Sequence, residues 1–485
     1  MNIEKTIKAL MGKTEPVKFG TDGWRAVIGE SYTFDNVKRV SLAVARKFKD
    51  HPKISNGIVI GYDTRFLGKQ FAYAAAEVFA NEGIKVLLTD TFVTTPTVSL
   101  LARDKNLPLG VMITASHNPF KYNGYKLKDE FGGSMNPDKI KEIEAELSSI
   151  GEVPSVKTSD ELIEDGIIEY FDGRGYFIDY LKKGIDIRSI VDSGIKGIYD
   201  TMFGAGQNTV NEFMKIEQLH NEINPSFPIN GVPGGAPEPI EKNLNDITGI
   251  MKDKGDYNIG IVTDGDADRI AIIDEKGNFL DAQKMFALLL MYLHKTKGLT
   301  GKVVRSFSTS ELIQKYCEKY GLDVVVVPIG FKHISKYMIE DDVMIGAEES
   351  GGIGIKGHLP ERDGVYNGLM YMEMIAKTGK SITELKKELE DEFGKYFYKR
   401  IDVHTTDEKK NETLKKCSEI KPGDMIAGKE VLKVEDLDGY KLFFDNGWVI
   451  IRASGTEPLL RFYCETYNTD DTQQVLESTI ANFNL

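Results

Sequence analysis

Gly57-Ile-Val-Ile-Gly-Tyr-Asp-Thr-Arg65, a short apolar run opening into a polar loop, decides how this chain folds. About four to eight apolar residues between turn signals read as a buried strand. Upstream, over residues 34–47, apolar side chains recur at helical spacing. Downstream, a helical pattern over 71–81 leads to an apolar run at 84–88, and another over 96–103 leads to 109–113. Strands alternating with helices predict a mainly parallel sheet covered on both faces. Apolar strands recur at 259–262, 303–304, 324–327 and 344–345, without a strict sequence repeat. Beyond about residue 380 the order becomes a helix, strands at 441–444 and 448–451, and a terminal helix, which predicts a smaller α+β unit. The polar stretch 148–164 has no clear apolar period and reads as the first domain junction.

A chain of 485 residues exceeds what one core holds, so several domains sharing a site are expected. Hydrophobic residues at 41% and charged residues at 28% fit an ordinary globular protein. A net charge of -13 argues against a nucleic-acid surface, which needs clustered Lys and Arg. A small phosphorylated ligand stays open wherever a few cations converge. Cys317, Cys417 and Cys464 are widely spaced and odd in number, which favours a reducing, cytoplasmic setting over a disulfide framework. Met1-Asn-Ile-Glu-Lys5 does not read as a signal peptide. The most apolar run, Met285-Phe-Ala-Leu-Leu-Leu-Met-Tyr-Leu293, falls short of the roughly 20 residues that cross a bilayer and reads as a buried helix, so no membrane partner is expected.

Four polar loops each follow an apolar strand: 114–119, 264–268, 348–351 and 452–458. In open α/β sheets ligands collect outside the carboxyl ends of strands, so these loops could converge on one cleft. In Thr114-Ala-Ser-His-Asn-Pro119, Ser116 is a candidate nucleophile or phosphoryl carrier. A serine hydroxyl needs a base, cation or metal to react, and His117 and Lys126 are at hand. The same segment also reads as a turn started by Asn118-Pro119. In Thr263-Asp-Gly-Asp-Ala-Asp-Arg269, Asp264, Asp266 and Asp268 offer hard oxygen ligands suited to magnesium or calcium. A calcium helix-loop-helix is spoiled by Arg269, which stands where that loop needs glycine, and by flanks that read as strands. Gly346-Ala-Glu-Glu-Ser-Gly-Gly352 could bind sugar hydroxyls or be a surface turn; Lys332 and Arg362 lie nearby in sequence. Arg452-Ala-Ser-Gly-Thr-Glu-Pro458 combines a guanidinium, two hydroxyls and the amides near Gly455 into an anion cradle, or simply a strand-ending turn.

In this order, after the opening Phe19-Gly-Thr-Asp-Gly-Trp-Arg25, the loops closely resemble the α-D-phosphohexomutase family over nearly the whole chain. The resemblance implies three related α/β domains with mixed or parallel sheets and a smaller C-terminal α+β domain around a central cleft. The boundaries expected are 1–155 with the serine loop, 156–275 with the metal loop, 276–385 with the sugar loop and 386–485 with the phosphate loop. It implies that Ser116 is the phosphoserine and that its phosphate, with Asp264, Asp266 and Asp268, holds one Mg²⁺ per chain. Glu348 and Ser350 would bind sugar hydroxyls, and Arg452, Ser454, Gly455 and Thr456 the phosphate not being transferred. Lys126 matches the candidate general acid/base, while Arg25, His117, Arg269, Lys332 and Arg362 would line the cleft.

The activity so implied interconverts hexose 1-phosphates and hexose 6-phosphates through a bisphosphorylated intermediate, with a hexose 1,6-bisphosphate activator as a further expectation. The partner is then a small phosphosugar, and the protein a monomer or homodimer. Gly352 departs from members that carry histidine after Glu-x-Ser-Gly, and Arg362 stands where lysine is frequent. The nearer likeness is to Glu-Glu-Ser forms, so glucose leads and mannose follows. Phosphoglucosamine mutase, phosphopentomutase or a silent phosphosugar-binding regulator are the alternatives.

Overall fold

Ile58–Tyr62 and Leu109–Ile113 are buried along their whole length and sit side by side as parallel strands. They centre the first sheet in this computed structural model, which describes residues 17–20, 22–153, 156–454, 459–467 and 471–485. Its strands are β1 (Trp24–Val27), β2 (Ile58–Tyr62), β3 (Val86–Thr89), β4 (Leu109–Ile113), β5 (Tyr122–Asp129) and β6 (Ile168–Phe171), in the order β1-β5-β4-β2-β3-β6. β2 is parallel to β3 and β4, and β3 to β6, whereas β5 runs antiparallel to both neighbours. Alternation along β2 covers both faces. Ile58 and Ile60 join Val37, Val40, Phe71 and Phe79 of the helices Phe34–Phe48 and Gly68–Asn81, while Val59 joins Val98 and Leu101 of Thr95–Asp104. Thr33 and Thr94 start two of these helices by accepting from the amides of Asn36 and Thr97.

The stretch expected to be a bare junction at 148–164 contains the helix Ser159–Glu164, opened by a Thr158/Glu161 capping box. β6 then pairs with β3, so the first sheet runs to Phe171. A six-residue helix is too short to display an apolar period, and β6 buries Ile168 but exposes the next two residues.

The second sheet follows the order β11-β10-β9-β7-β8, with β7 (Gly197–Asp200), β8 (Glu217–Leu219), β9 (Ile259–Thr263), β10 (Ile270–Ile273) and β11 (Phe279–Leu280). β9 and β10 are antiparallel, with Thr263 opposite Ile270. The aspartate loop is therefore the connection of a hairpin, and its flanks are strands as expected.

The chain divides into two compact units: residues 1–280 with 338–340 and 351–381, and residues 281–337 with 341–350 and 382–485. In the second unit Lys302–Ser306 lies between Val324–Val327 and Val343–Ala347, parallel to both. The C-terminal part is antiparallel, with Leu459–Tyr467 between Tyr396–His404 and Gly447–Ala453, and Tyr440–Phe444 beyond. Phe307 packs with Trp448, Ile450 and Tyr463, joining these two parts through apolar side chains. The run 285–293 is buried throughout, mostly within the helix Ala282–Met291. No helix among the described residues is long and apolar enough to cross a membrane.

Candidate active site

The serine loop leaves the end of β4, the aspartate loop leaves the end of β9, and the two touch. A side chain at Gly265 would put its Cβ 2.5 Å from the Ser116 carbonyl oxygen, so only glycine lets the loops approach this closely. Ser116 itself adopts φ +52°, a conformation that costs a non-glycine residue energy and so needs support from its surroundings. The support comes from Arg65. Its fully buried guanidinium donates to the carbonyls of Ser116, Asn118, Pro119 and Tyr122, and its Nε lies 3.2 Å from Asp63. Thr114 donates to Asp63 at 2.5 Å and accepts from the Ser116 amide at 2.8 Å. Burial, partly offset by Arg65, raises the Asp63 carboxyl to about 6.

Ser116 Oγ donates to Asp264 Oδ2 at 2.7 Å, and His117 Nδ1 lies 3.4 Å away. Burial, reinforced by Arg269, Arg25, Lys126 and Arg65, holds His117 well below its usual range, so its imidazole is neutral at pH 7. Arg25 donates to Asn118 Oδ1 at 2.8 Å. The Arg269 amide donates to Asp264 Oδ1 at 3.1 Å, while its guanidinium lies 3.8 Å from Glu238.

Asp264, Asp266 and Asp268 are fully buried, with one oxygen from each lying within 4.8 Å of the others. Burial and the other two aspartates push Asp264 well above the usual carboxylate range. Asp266 is pulled below that range despite burial, because Lys126 and Thr95 donate to it. Asp266 Oδ1 and Asp268 Oδ1 are buried without a hydrogen-bond partner. A hard divalent cation fits this donor set, since it would take the unpartnered oxygens and offset the crowded charge.

Lys126 Nζ lies 2.8 Å from Asp22, 2.7 Å from Asp266 and 2.9 Å from Asp268. Burial alone would lower its affinity for a proton, but the three carboxylates outweigh that and raise it above the ordinary lysine range. Arg362 donates to Asp22 and Asp268, each at 2.7 Å. Asp22, Arg65 and Thr95 were missed as site residues. Asp22 and Arg65 stand inside motifs already legible, whereas Thr95 carries no sequence signal.

The remaining expected residues belong to the second unit. Glu348 is buried and accepts from Ser350 Oγ at 3.3 Å. Its neighbour Glu349 accepts from Ser308 at 2.6 Å and Ser306 at 3.3 Å. Lys332 is half-buried at the second position of the helix Phe331–Glu340. Arg452 is the penultimate residue of the strand Gly447–Ala453, with its Nε 2.9 Å from Asp438, and the Ser454 amide donates to the Leu459 carbonyl at 3.0 Å. Gly455 and Thr456 lie outside the described residues.

Four family descriptions of phosphoglucomutase/phosphomannomutase match in order: alpha/beta/alpha domain I over residues 16–153, domain II over 175–277, domain III over 281–393 and the C-terminal domain over 405–482. A phosphoglucomutase/phosphomannomutase of Thermococcus kodakarensis is 30% identical, covering 95% of this chain and 96% of that protein. A phosphoglucosamine mutase of Methanocaldococcus jannaschii is also 30% identical, covering 95% and 97%. A Thermus thermophilus structure described as a phosphomannomutase superposes with TM-score 0.84 at 31% identity, covering 98% of this chain and all of that one.

Proposed function

The chain belongs to the α-D-phosphohexomutase family, isomerase-class phosphotransferases, and on that premise we propose that it interconverts hexose 1-phosphates and hexose 6-phosphates through a phosphorylated Ser116. The observation that carries this reading is the hydrogen bond from Ser116 Oγ to Asp264, within a loop whose two neighbouring aspartates keep unpartnered buried oxygens. A hydroxyl held against a carboxylate trio suits a phosphoryl carrier once a cation sits between them, since phosphate and carboxylates are both anionic and would otherwise repel.

In the first half-reaction the bond from phosphorus to Ser116 Oγ breaks as a sugar hydroxyl oxygen bonds to phosphorus, giving a bisphosphorylated sugar and the free serine hydroxyl. The sugar hydroxyl's proton passes to the released Ser116 Oγ by way of Lys126, which exchanges its own proton. After the sugar turns over, its other phosphoryl group passes back to Ser116. Catalysis of phosphoryl transfer comes mainly from positioning and charge stabilisation. Asp264, Asp266 and Asp268 would hold Mg²⁺, which when bound supplies Lewis-acid neutralisation of the phosphoryl oxygens. Lys126, kept protonated by its carboxylates, can donate a proton to an oxygen or neutralise it, and serves as a base only after losing that proton. Neutral His117 keeps Nδ1 3.4 Å from Ser116 Oγ, whose single proton goes to Asp264, so as the Nδ1–H tautomer it can donate to that oxygen. Arg25, Arg269 and Arg362 would contact the transferring phosphate, Lys332, Glu348 and Ser350 the sugar, and Arg452, Ser454, Gly455 and Thr456 the distal phosphate.

Glucose is the leading sugar, because the Glu348-Glu349-Ser350 form and Gly352 favour it over the amino sugars. The test is a comparison of kcat/KM with Mg²⁺ across the 1-phosphates of glucose, mannose, glucosamine, N-acetylglucosamine and ribose. Highest turnover with glucose 1-phosphate supports the reading. Preference for glucosamine 1-phosphate replaces the sugar, and turnover of none overturns the activity.

A further inference from the structure

Asp22 lies outside the aspartate loop that forms the cation cluster. Its Oδ2 instead lies 2.8 Å from Lys126 Nζ and 2.7 Å from a terminal nitrogen of Arg362. Both cations continue to the aspartate loop, Lys126 to Oδ2 of Asp266 and Asp268, and Arg362 to Oδ2 of Asp268. Thr95 Oγ1 adds a further donor to Asp266 Oδ2, at 2.5 Å. In Asp266 and Asp268 one oxygen is thus held by donors, while Oδ1 has no hydrogen-bond partner. Fixing one oxygen removes rotation of the carboxylate and aims the other.

We infer that Asp22 is a positioning residue that, through Lys126 and Arg362, orients Asp266 and Asp268 for a divalent cation; the inference rests on reading Asp264, Asp266 and Asp268 as the cation's ligands. A lysine side chain has four rotatable bonds and no planar fork, so its ammonium stays where its partners fix it. Among the described residues, Asp22 is the one ion-pair partner of Lys126 outside the aspartate loop, and it fixes Arg362 with the same oxygen. Its own place is set by the backbone. Gly23, at φ +95°, runs so close to the strand bearing Lys126 that a Cβ there would lie 2.7 Å from the Tyr125 carbonyl oxygen. Partners that orient metal ligands without touching the metal typically change metal affinity by about 10- to 100-fold when removed.

The test titrates Mn²⁺ into the full chain without substrate and reads free Mn²⁺ by electron paramagnetic resonance. Asp22→Asn is expected to weaken binding about tenfold. Loss of one negative charge would also weaken it, so Arg362→Met separates the explanations. Charge alone predicts tighter Mn²⁺ binding when a cation is removed; orientation predicts weaker binding. Mn²⁺ affinity unchanged in Asp22→Asn, or tighter in Arg362→Met, overturns the inference, and the second variant decides alone if the first fails to fold. Asp264→Asn separates the premise: if it binds Mn²⁺ like the unaltered chain, the ligand reading itself falls.

Discussion

Ser116 and Asp264 are 148 residues apart in sequence, yet their side chains share a 2.7 Å hydrogen bond at the contact of two loops. The serine is thereby committed to a carboxylate that burial and its two neighbours make reluctant to ionise. If, as proposed, the hydroxyl carries phosphate and the carboxylate binds a cation, groups built this close would act as one chemical unit.

Ser116→Ala is expected to lower kcat by at least about a thousandfold while stability stays within about 1 kcal/mol, since the hydroxyl makes few contacts beyond Asp264 and its own loop. Steady-state rates and urea denaturation check the two halves. Full turnover would contradict the carrier role.

At the proposed cation site, Asp264 would make binding pH-dependent with a definite sign. Its folded-state pKa is raised above the unfolded value, so in the cation-free chain it costs stability as pH climbs above the ordinary carboxylate range, and ionisation must precede binding. Stabilisation by Mg²⁺ should therefore grow with pH over the acidic range, reaching about 3 kcal/mol at a hundredfold excess over Kd. Thermal midpoints with and without Mg²⁺ measure it; a Mg²⁺ effect that shrinks with rising pH would count against the site.

Arg65→Lys keeps a cation near Asp63 but loses the fork that gathers four carbonyls of the serine loop. A loss of about 2 kcal/mol in stability and of tenfold or more in kcat is expected. Denaturant melts and initial rates report both, and unaltered kcat would show that the loop holds its strained serine unaided.

Much of this was legible because its signals are local. Strands β2, β4 and β9 are contiguous apolar runs, and the serine and aspartate loops carry their chemistry within a few residues. The rest depends on partners distant in the chain. Thr95 reaches Asp266 across 171 positions, and Arg65 binds backbone carbonyls, which leave no mark in a sequence. Asp22 was visible in its motif, but its link to Arg362 spans 340 residues. β6 escaped because only one of its four side chains is buried, so the pattern of a covered strand never appears.

Glu465 offers a test of the second unit. Buried, with Trp448 Nε1 and the Glu311 amide donating to one oxygen, its carboxyl is pushed up to about 7, mainly by burial, from an ordinary 4.5. Below the unfolded value both states are protonated. Between the two values the unfolded chain ionises first, so stability is lost with rising pH and the loss is complete above about 7. Glu465→Gln should then be more stable relative to the unaltered chain at pH 8 than at pH 4, by on the order of 2 kcal/mol. A gap that does not change with pH would contradict a raised Glu465.

The central claim is that Ser116 carries the phosphoryl group between the two positions of the sugar. Peptide mass spectrometry of the full chain, before and after brief exposure to glucose 1,6-bisphosphate and then to excess glucose 1-phosphate, tests it most directly. The account predicts phosphate on the peptide holding Thr114-Ala-Ser-His-Asn-Pro119, located at Ser116, gained in the first step and turned over in the second. Phosphate confined to another residue, or a Ser116 that stays unmodified while the enzyme turns over, would contradict it.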